Sequence, residues 1–419
     1  MIDARSSAGR AASCSYVALL TGGRDKPYAY GLATELHAKG VSFDLIGSND
    51  LDIPEIRDRL GVNFLNLRGD QRPDANAKEK VLRVLKYYAK LIRYAWTAKP
   101  KLFHILWHNK FDFFDRTLLL LYYKSLGKRI VFTAHNVNAG RRDCNDGMLN
   151  RLSLLIQYRL VDHVFVHTTK MKTELMAEFR VPQNRVTVIP FGINNAVPNT
   201  GRSRSEARMA LGIPAAKKVV LFFGNIAAYK GLEDLVTVFR ERLAARCEYQ
   251  LIIAGQPKEI DYWGKIRQAV AGEVKSGRIL VWSKYIPDEE IENFFRAADV
   301  LVLPYKHVYQ SGVLFLAYSF GLPVLAADVG SLKDEIVEGR TGFVFKANDP
   351  DSLMTAIERY FASDLYADLD RHRPNIEDYA RELHSWDTVG RATVAVYQNL
   401  LGHSPSAEFA VSQASKSCL

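Results

Sequence analysis

Short apolar runs, each ended by a turn and followed by an amphipathic stretch, recur along the whole chain. Ser15–Leu20 reads as the first buried strand. The turn Thr21-Gly22-Gly23 follows, then a helical stretch over Tyr28–Lys39 that stops at Gly40. The same reading predicts strands at Val41–Ile46, Phe103–Leu106, Arg129–Thr133, His163–Val166 and Arg185–Ile189, with helices over Ala77–Ala98, Thr117–Leu126 and Asn150–Leu160. Around residues 194–206 the composition turns polar with Pro and Gly, as a linker would. The pattern then restarts. Strands are predicted at Lys218–Phe223, Tyr249–Ala254, Ile279–Trp282, Val300–Leu303 and Pro323–Ala326, and helices at 231–245, 259–275, 288–298, 312–320 and, last, Ile376–Leu401, which contains Ser385-Trp386. Uninterrupted apolar strands alternating with helices imply α/β domains whose parallel sheets are covered on both faces.

Length requires more than one core: 419 residues exceed what a single domain usually buries. The expected layout is a disordered tail at 1–14, a first domain at 15–196, a second at 207–375, a helix over 376–402 crossing back to the first domain, and a disordered tail at 403–419. Two doubly wound domains in tandem would place their ligand sites at the carboxyl ends of the strands, facing each other across a cleft. Charge divides unevenly. Residues 1–200 carry 30 Lys and Arg against 18 Asp and Glu, and residues 201–419 carry 26 against 28, so the first half holds the positive excess of a chain whose net charge is +10. A solubilising surface, an acidic acceptor, an anionic lipid or nucleic acid would each account for it. Nucleic acid is disfavoured because no binding motif accompanies the basic residues. Cys14, Cys144, Cys247 and Cys418 lack CxxC spacing, and the first fifteen residues lack an apolar signal-peptide block. Both features point to the cytoplasm.

Two segments carry the candidate chemistry. In Leu301–Gly330 a strand ends at Pro304, a polar loop follows, and a helix starts at Ser311-Gly312. Unpaired N–H groups of a first helical turn, with the helix dipole, make a cradle for a diphosphate, and a glycine lets the ligand approach the backbone. In Leu221–Leu232 a strand ends at Gly224, the loop carries Lys230, and Gly231 opens the next helix, so that a lysine at a strand's carboxyl end can reach a phosphate. Each segment has a plain structural alternative, a capped core helix and a solvated lysine. Their occurrence in one sheet pattern favours the shared role.

The residues GNIAAYKGLEDLV, IIAGQP, YIPDEEIENFFRAADVLVLPY, QSGVLFLAYSFGLPVLAADVGSLKDEIVEGRTGFVF and VIPFGINN resemble those of the retaining glycosyltransferases of family 4. The likeness runs from about Ser15 to Leu401 and is densest from Gly224 to Phe345. It implies the GT-B fold, two Rossmann-like domains around a cleft, and a metal-independent enzyme without a cofactor. Such an enzyme would move a hexose from a nucleoside-diphosphate sugar to a hydroxyl acceptor, in polysaccharide, lipid-linked glycan or glycoconjugate synthesis. By the resemblance, Lys230 and His135 are the catalytic candidates. Gly224, Asn225, Lys230, Tyr285, Ile286, Tyr309, Gln310, Ser311, Gly312 and Val313 are the donor-binding candidates, and Gly22 and Gly23 form the acceptor-side loop.

The pattern is also broken. Asn225, or in some relatives Ala227, stands where the family's diphosphate-binding Arg belongs. Val308 and Leu316 stand where two glutamates grip sugar and ribose. Tyr309 and Gln310 offer a hydroxyl and an amide in their place. The other outcome is an inactive relative that binds or regulates. No histidine or carboxylate spacing indicates a metal; Asp50-Leu51-Asp52 matches a DxD motif in the wrong domain. His104, His108, His163 and His167 read as structural. Finally, Ala77–Lys101 joins the apolar stripe Val81, Leu82, Val84, Leu85, Tyr88, Leu91, Ile92, Ala95 and Trp96 to Lys78, Lys80, Arg83, Lys86, Lys90 and Arg93. It would either pack on its own sheet or lie on an anionic bilayer at the inner face of the membrane, near a lipid-linked acceptor.

Overall fold

The computed structural model describes residues 16–23, 26–59, 62–72, 76–142, 145–194, 197–243 and 246–402. The tails expected at 1–14 and 403–419 lie outside the described residues. Seven strands, β1 (Tyr16–Leu20), β2 (Ser42–Gly47), β3 (Asn63–Asn66), β4 (Leu102–Ile105), β5 (Arg129–Ala134), β6 (His163–Val166) and β7 (Val186–Val188), form the first sheet in the order β3-β2-β1-β4-β5-β6-β7. Six more, β8 (Lys218–Phe223), β9 (Tyr249–Ala254), β10 (Ile279–Trp282), β11 (Val300–Leu303), β12 (Val324–Ala327) and β13 (Gly342–Phe345), form the second in the order β10-β9-β8-β11-β12-β13. Every neighbouring pair is parallel. The architecture is α/β of GT-B type, two doubly wound domains.

β3 and β13 escape the apolar pattern for one reason. Both are four-residue edge strands; β3 begins and ends on Asn and β13 begins on Gly. Central strands such as β8 and β9, buried at nearly every position, need uninterrupted apolar sequence and announce themselves.

Strand order reverses between β1 and β4 in the first sheet and between β8 and β11 in the second. At such a switch the loops after the two adjacent strands diverge and leave a crevice. Because β8 and β11 are parallel neighbours, the loop holding Lys230 and the loop leading to Ser311 leave the sheet at the same end.

The stretch expected as one helix over 259–275 is two, Ile260–Ala269 and Ala271–Lys275. Helices Thr169–Phe179 and Pro350–Phe361 are not among the expected elements. Two further departures bear on the domain joint. The polar segment after residue 194 does not stay a linker to residue 206: a helix starts at Arg204, and Ser203 and Glu206 form a reciprocal capping box on it. The stretch expected as one helix over 376–401 is two, Leu369–Leu383 and Trp386–Leu401. The break falls at His384-Ser385, where the Ser385 side chain accepts from the Asp387 N–H at 3.1 Å. The first helix belongs to the second domain, since Arg373 donates to the Phe320 and Ala298 carbonyls. The second packs on the first domain's helix Lys26–Ala38, with Lys39 Nζ 2.7 Å from Asp387 Oδ1. Gly390 allows the approach, because a Cβ there would lie 2.3 Å from Glu35 Cγ.

Candidate functional site

Lys230 is built into the loop after β8 by two glycines. Gly224 ends the strand at φ +101°, and a Cβ there would sit 3.1 Å from Lys230 Nζ and 3.2 Å from Val313 Cγ2. Gly231 turns the chain at φ +63°, and a Cβ there would meet the Pro304 carbonyl at 2.0 Å. Any side chain at either place would displace the lysine or the neighbouring loop. Lys230 itself is only 7% exposed, and its Nζ lies 5.1 Å from the centre of the Tyr305 ring.

The second loop ends at Ser311, the N-cap of helix Gly312–Ser319. Its side chain does not cap the helix; Oγ donates instead to the Tyr305 hydroxyl at 3.4 Å. The Leu314 N–H goes to the Ser311 carbonyl at 3.1 Å, which leaves the Gly312 and Val313 N–H groups in need of an external acceptor. Tyr305 is buried and its hydroxyl is pushed up to about 12 by that burial, so it stays a proton donor. One cavity of about 440 Å³ joins these pieces. Asn225, Lys230, Gln310, Ser311, Gly312 and Val313 line it from the second domain. Tyr28, Phe191 and Trp386 close it from the first domain and the returning helix. Among its lining residues Lys230 alone carries a formal charge.

Val308 and Leu316 also line this cavity, so the positions where the family places glutamates do face the site, as apolar side chains. Gln310 supplies a substitute. Its Nε2 lies 3.3 Å from Glu335 Oε1. A carboxylate only accepts, so the amide must turn its NH₂ that way and its Oε1 toward the other side. That Oε1 is buried and has no partner, an acceptor fit for a sugar hydroxyl. His384 lies beside Glu335, with Nε2 3.2 Å from its Oε2 but not hydrogen-bonded to it, and Nδ1 facing the Phe191 carbonyl at 3.1 Å. Neither Glu335 nor His384 is legible as a site residue in the sequence, because each reaches the site only through Gln310 or Phe315.

Tyr309 is not brought to the cavity. Its hydroxyl donates to Glu174 of the first domain at 2.8 Å, and its ring packs against that domain's core. It acts as a latch across the cleft, alongside Lys26–Asp288 at 3.4 Å and the stacked pair Phe191–Phe315 at 5.2 Å. Tyr285 and Ile286 also lie outside the cavity lining. Tyr285 is 66% exposed and Ile286 is buried. Gly22 and Gly23 turn the chain after β1 at φ +60° and +66°, and their carbonyls accept from Arg68 and Gln71. They do not line the cavity either.

His135 stands behind Tyr28, its ring stacked on Trp107 at 4.0 Å. The neighbour that sets its state is His167, read from the sequence as merely structural. His167 Nδ1 faces the Ile189 carbonyl at 3.4 Å and must carry the proton; its Nε2, 3.0 Å from His135 Nδ1, then accepts. His135 Nε2 is left as a bare, buried acceptor. Burial, then the neighbouring histidines, holds His135 well below the usual imidazole range, and burial lowers His167 to about 4. Burial likewise lowers His104, bonded to Tyr397 and Thr133, to about 3, and His163 to about 4.

These histidines gain protons in the unfolded chain near pH 6.5 and in the folded chain only well below it. Their contribution to stability is therefore complete above about pH 6.5 and is lost as pH falls toward 4. The urea midpoint should drop between pH 7.5 and pH 5, and His104→Gln should flatten that drop; an unchanged slope in the variant would contradict the assignment.

Asp52 of the DxD-like segment is an ion-pair partner of Arg57. A larger cavity, about 580 Å³, lies at the opposite end of the second sheet among Arg202, Arg204, Arg208, Arg296 and Arg373. There Arg204 and Arg208 are paired with buried Asp299, Arg296 with Glu377, and Arg373 with backbone carbonyls, so it is a structural polar cluster.

The family description "Glycosyltransferase Family 4" matches residues 27–197, and "Glycosyl transferases group 1" matches residues 217–363. The D-inositol 3-phosphate glycosyltransferase of Acidothermus cellulolyticus is 28% identical over 246 residues, which cover 57% of this chain and 54% of that one. The chain thus spans about half the length of the first curated relatives it matches. Sucrose-phosphate synthase from Thermosynechococcus elongatus superposes with a TM-score of 0.73 at 19% identity, over 93% of this chain and 100% of the other. Anabaena HepE in complex with UDP-glucose does so at 0.67 and 15%, over 91% and 99%. At those identities the superpositions show the fold. With one family description on each half, in chain order and on the two sheets described above, the chain belongs to the group 1, family 4 glycosyltransferases.

Proposed function

We propose that the chain transfers a hexose, with retention, from a nucleoside-diphosphate sugar held in the 440 Å³ cavity to a hydroxyl acceptor. The observation that carries this is the pairing of Lys230 with a helix start its own N-cap side chain leaves uncapped, in a cavity with no other charged side chain in its lining. The diphosphate lies on the Gly312 and Val313 N–H groups with Lys230 beside it. With no Arg in the Lys230 loop, the helix start bears the larger share of the charge. As the glycosidic bond breaks, the electrons go to the diphosphate oxygen. That oxygen takes the acceptor's proton, and the acceptor oxygen bonds the anomeric carbon on the same face. The protein's part is to stabilise the leaving charge, which Lys230 does at a fixed distance and in low dielectric. Gln310 Oε1, an acceptor, holds a sugar hydroxyl, while His135, outside the cavity lining, supports the Tyr28 wall from behind.

HepE, of the same fold, is described in complex with UDP-glucose, which supports testing uridine donors first. Hydrolysis or transfer of UDP-sugars in the presence of a chelator is the assay, with the product's anomeric configuration read by NMR. Retention is expected; inversion, or no turnover and no binding of UDP, GDP or ADP, would overturn the reading and leave a binding or regulatory protein. Gln310→Ala should raise the KM for the donor sugar up to roughly tenfold, one hydrogen bond's worth, with UDP affinity unchanged. Equal losses for UDP and UDP-sugar would remove Gln310 from the sugar subsite.

A further inference from the structure

The described residues expose twenty large hydrophobic side chains, and thirteen of them fall between Val81 and Leu155. They sit on three helical layers that cover one face of the first sheet. The helix Ala77–Thr97 buries Tyr87, Tyr88, Leu91 and Ala95 but exposes Leu82, Leu85, Ile92 and Trp96, the last at 71%. Its neighbour, reached through the Tyr88–Phe111 stack and the Tyr122–Ile92 hydrogen bond, exposes Phe113, Leu118 and Leu121. The third, Met148–Leu160, tied to the second by Arg116 and Asn150, exposes Met148, Leu149 and Leu152. The stripe that the sequence leaves undecided is therefore divided: part packs on the sheet and the rest faces outward with two further helices.

At roughly 100° per residue, the exposed apolar arc of Ala77–Thr97 lies between the buried arc and a basic one formed by Arg83, Lys86, Lys90 and Arg93. Six Lys and Arg stand on this helix against Glu79 alone. A second copy of the chain would bring that charge against itself across a twofold axis. An apolar layer this wide and rimmed by cations is matched by an anionic bilayer surface, into whose headgroup zone the apolar side chains sink. A cavity of about 200 Å³ near the start of the same helix, beside the Gly22-Gly23 loop, is lined by Arg68, Arg83 and Lys110 and also by Asp70, with which Arg72 and Arg83 are paired.

We infer that the first domain docks on an anionic membrane through the outer faces of helices Ala77–Thr97, Asp112–Arg116, Leu118–Ser125 and Met148–Leu160. The proposal does not depend on the catalytic reading. Its test is co-sedimentation of the full chain with phosphatidylcholine vesicles, with and without roughly 30% phosphatidylglycerol, at low and high salt. Binding is expected only with the anionic lipid, and roughly tenfold weaker at high salt. Leu82→Glu with Leu85→Glu should lower the partition coefficient at least tenfold, as should Lys86→Glu with Lys90→Glu, while Met209→Glu on the second domain should not change it. Circular dichroism confirms that each variant is folded, and if the leucine pair is not, the lysine pair decides. Failure of the folded wild type to bind anionic vesicles at low salt would overturn the inference. So would equal binding by a folded variant, or loss in the variants of a concentration-dependent dimer with vesicle binding unchanged.

Discussion

Replacing Lys230 with Ala should lower turnover by roughly 10²–10³-fold, the usual cost of removing one preorganised charge from a developing anion. Nucleoside-diphosphate affinity should fall with it, because no other charged side chain lines the cavity. The residue is only 7% exposed and its Nζ also lies over the Tyr305 ring, so the urea midpoint is read beside activity to separate a lost charge from a lost fold. A variant that loses stability and keeps its nucleotide affinity would mark Lys230 as structural. Lys230→Arg should recover little, since Gly224 and Val313 leave no width for a guanidinium.

The second large effect is on the joint between the domains. Trp386 opens the returning helix, donates from Nε1 to the Ile193 carbonyl at 2.8 Å and lies between two glycines. A Cβ on Gly31 would come within 2.2 Å of its ring and one on Gly192 within 2.4 Å, so helix Lys26–Ala38 and the irregular segment after β7 are both shaped around it. Trp386→Ala should destabilise by roughly 3–5 kcal/mol, as large buried aromatics do. It should also raise the KM for the donor, because the same ring walls the cavity. A loss below about 1 kcal/mol would show that the helix is not the clasp described here.

How much of this is written in the sequence depends on how locally each feature is encoded. β8 and β11 are continuous apolar runs, and the loops that follow them carry Lys230 and Ser311-Gly312 in plain view. Their meeting needs only that the two strands be parallel neighbours. The Ser203–Glu206 capping box was equally local, hidden by the polar residues around it. What was not legible is set by distant partners. Tyr309 sits in the expected loop, yet Glu174, 135 residues away, turns its hydroxyl out of the site. His167 gains its role from Ile189 and His135, and Gln310 presents its oxygen only because Glu335 claims its amide nitrogen. Phe191 lies in the VIPFGINN segment, and Trp386 follows Ser385. Both were visible as residues, but not as walls of a cavity to which they contribute from distant parts of the chain.

The central claim is that a diphosphate rests between Lys230 and the start of helix Gly312–Ser319, and a crystal structure of the full chain with UDP in metal-free solution tests it most directly. The account predicts the β-phosphate within hydrogen-bonding distance of Lys230 Nζ and of the Gly312 or Val313 N–H. Electron density for the phosphates among Arg68, Arg83 and Lys110 instead, or among the arginines beside Asp299, would contradict it.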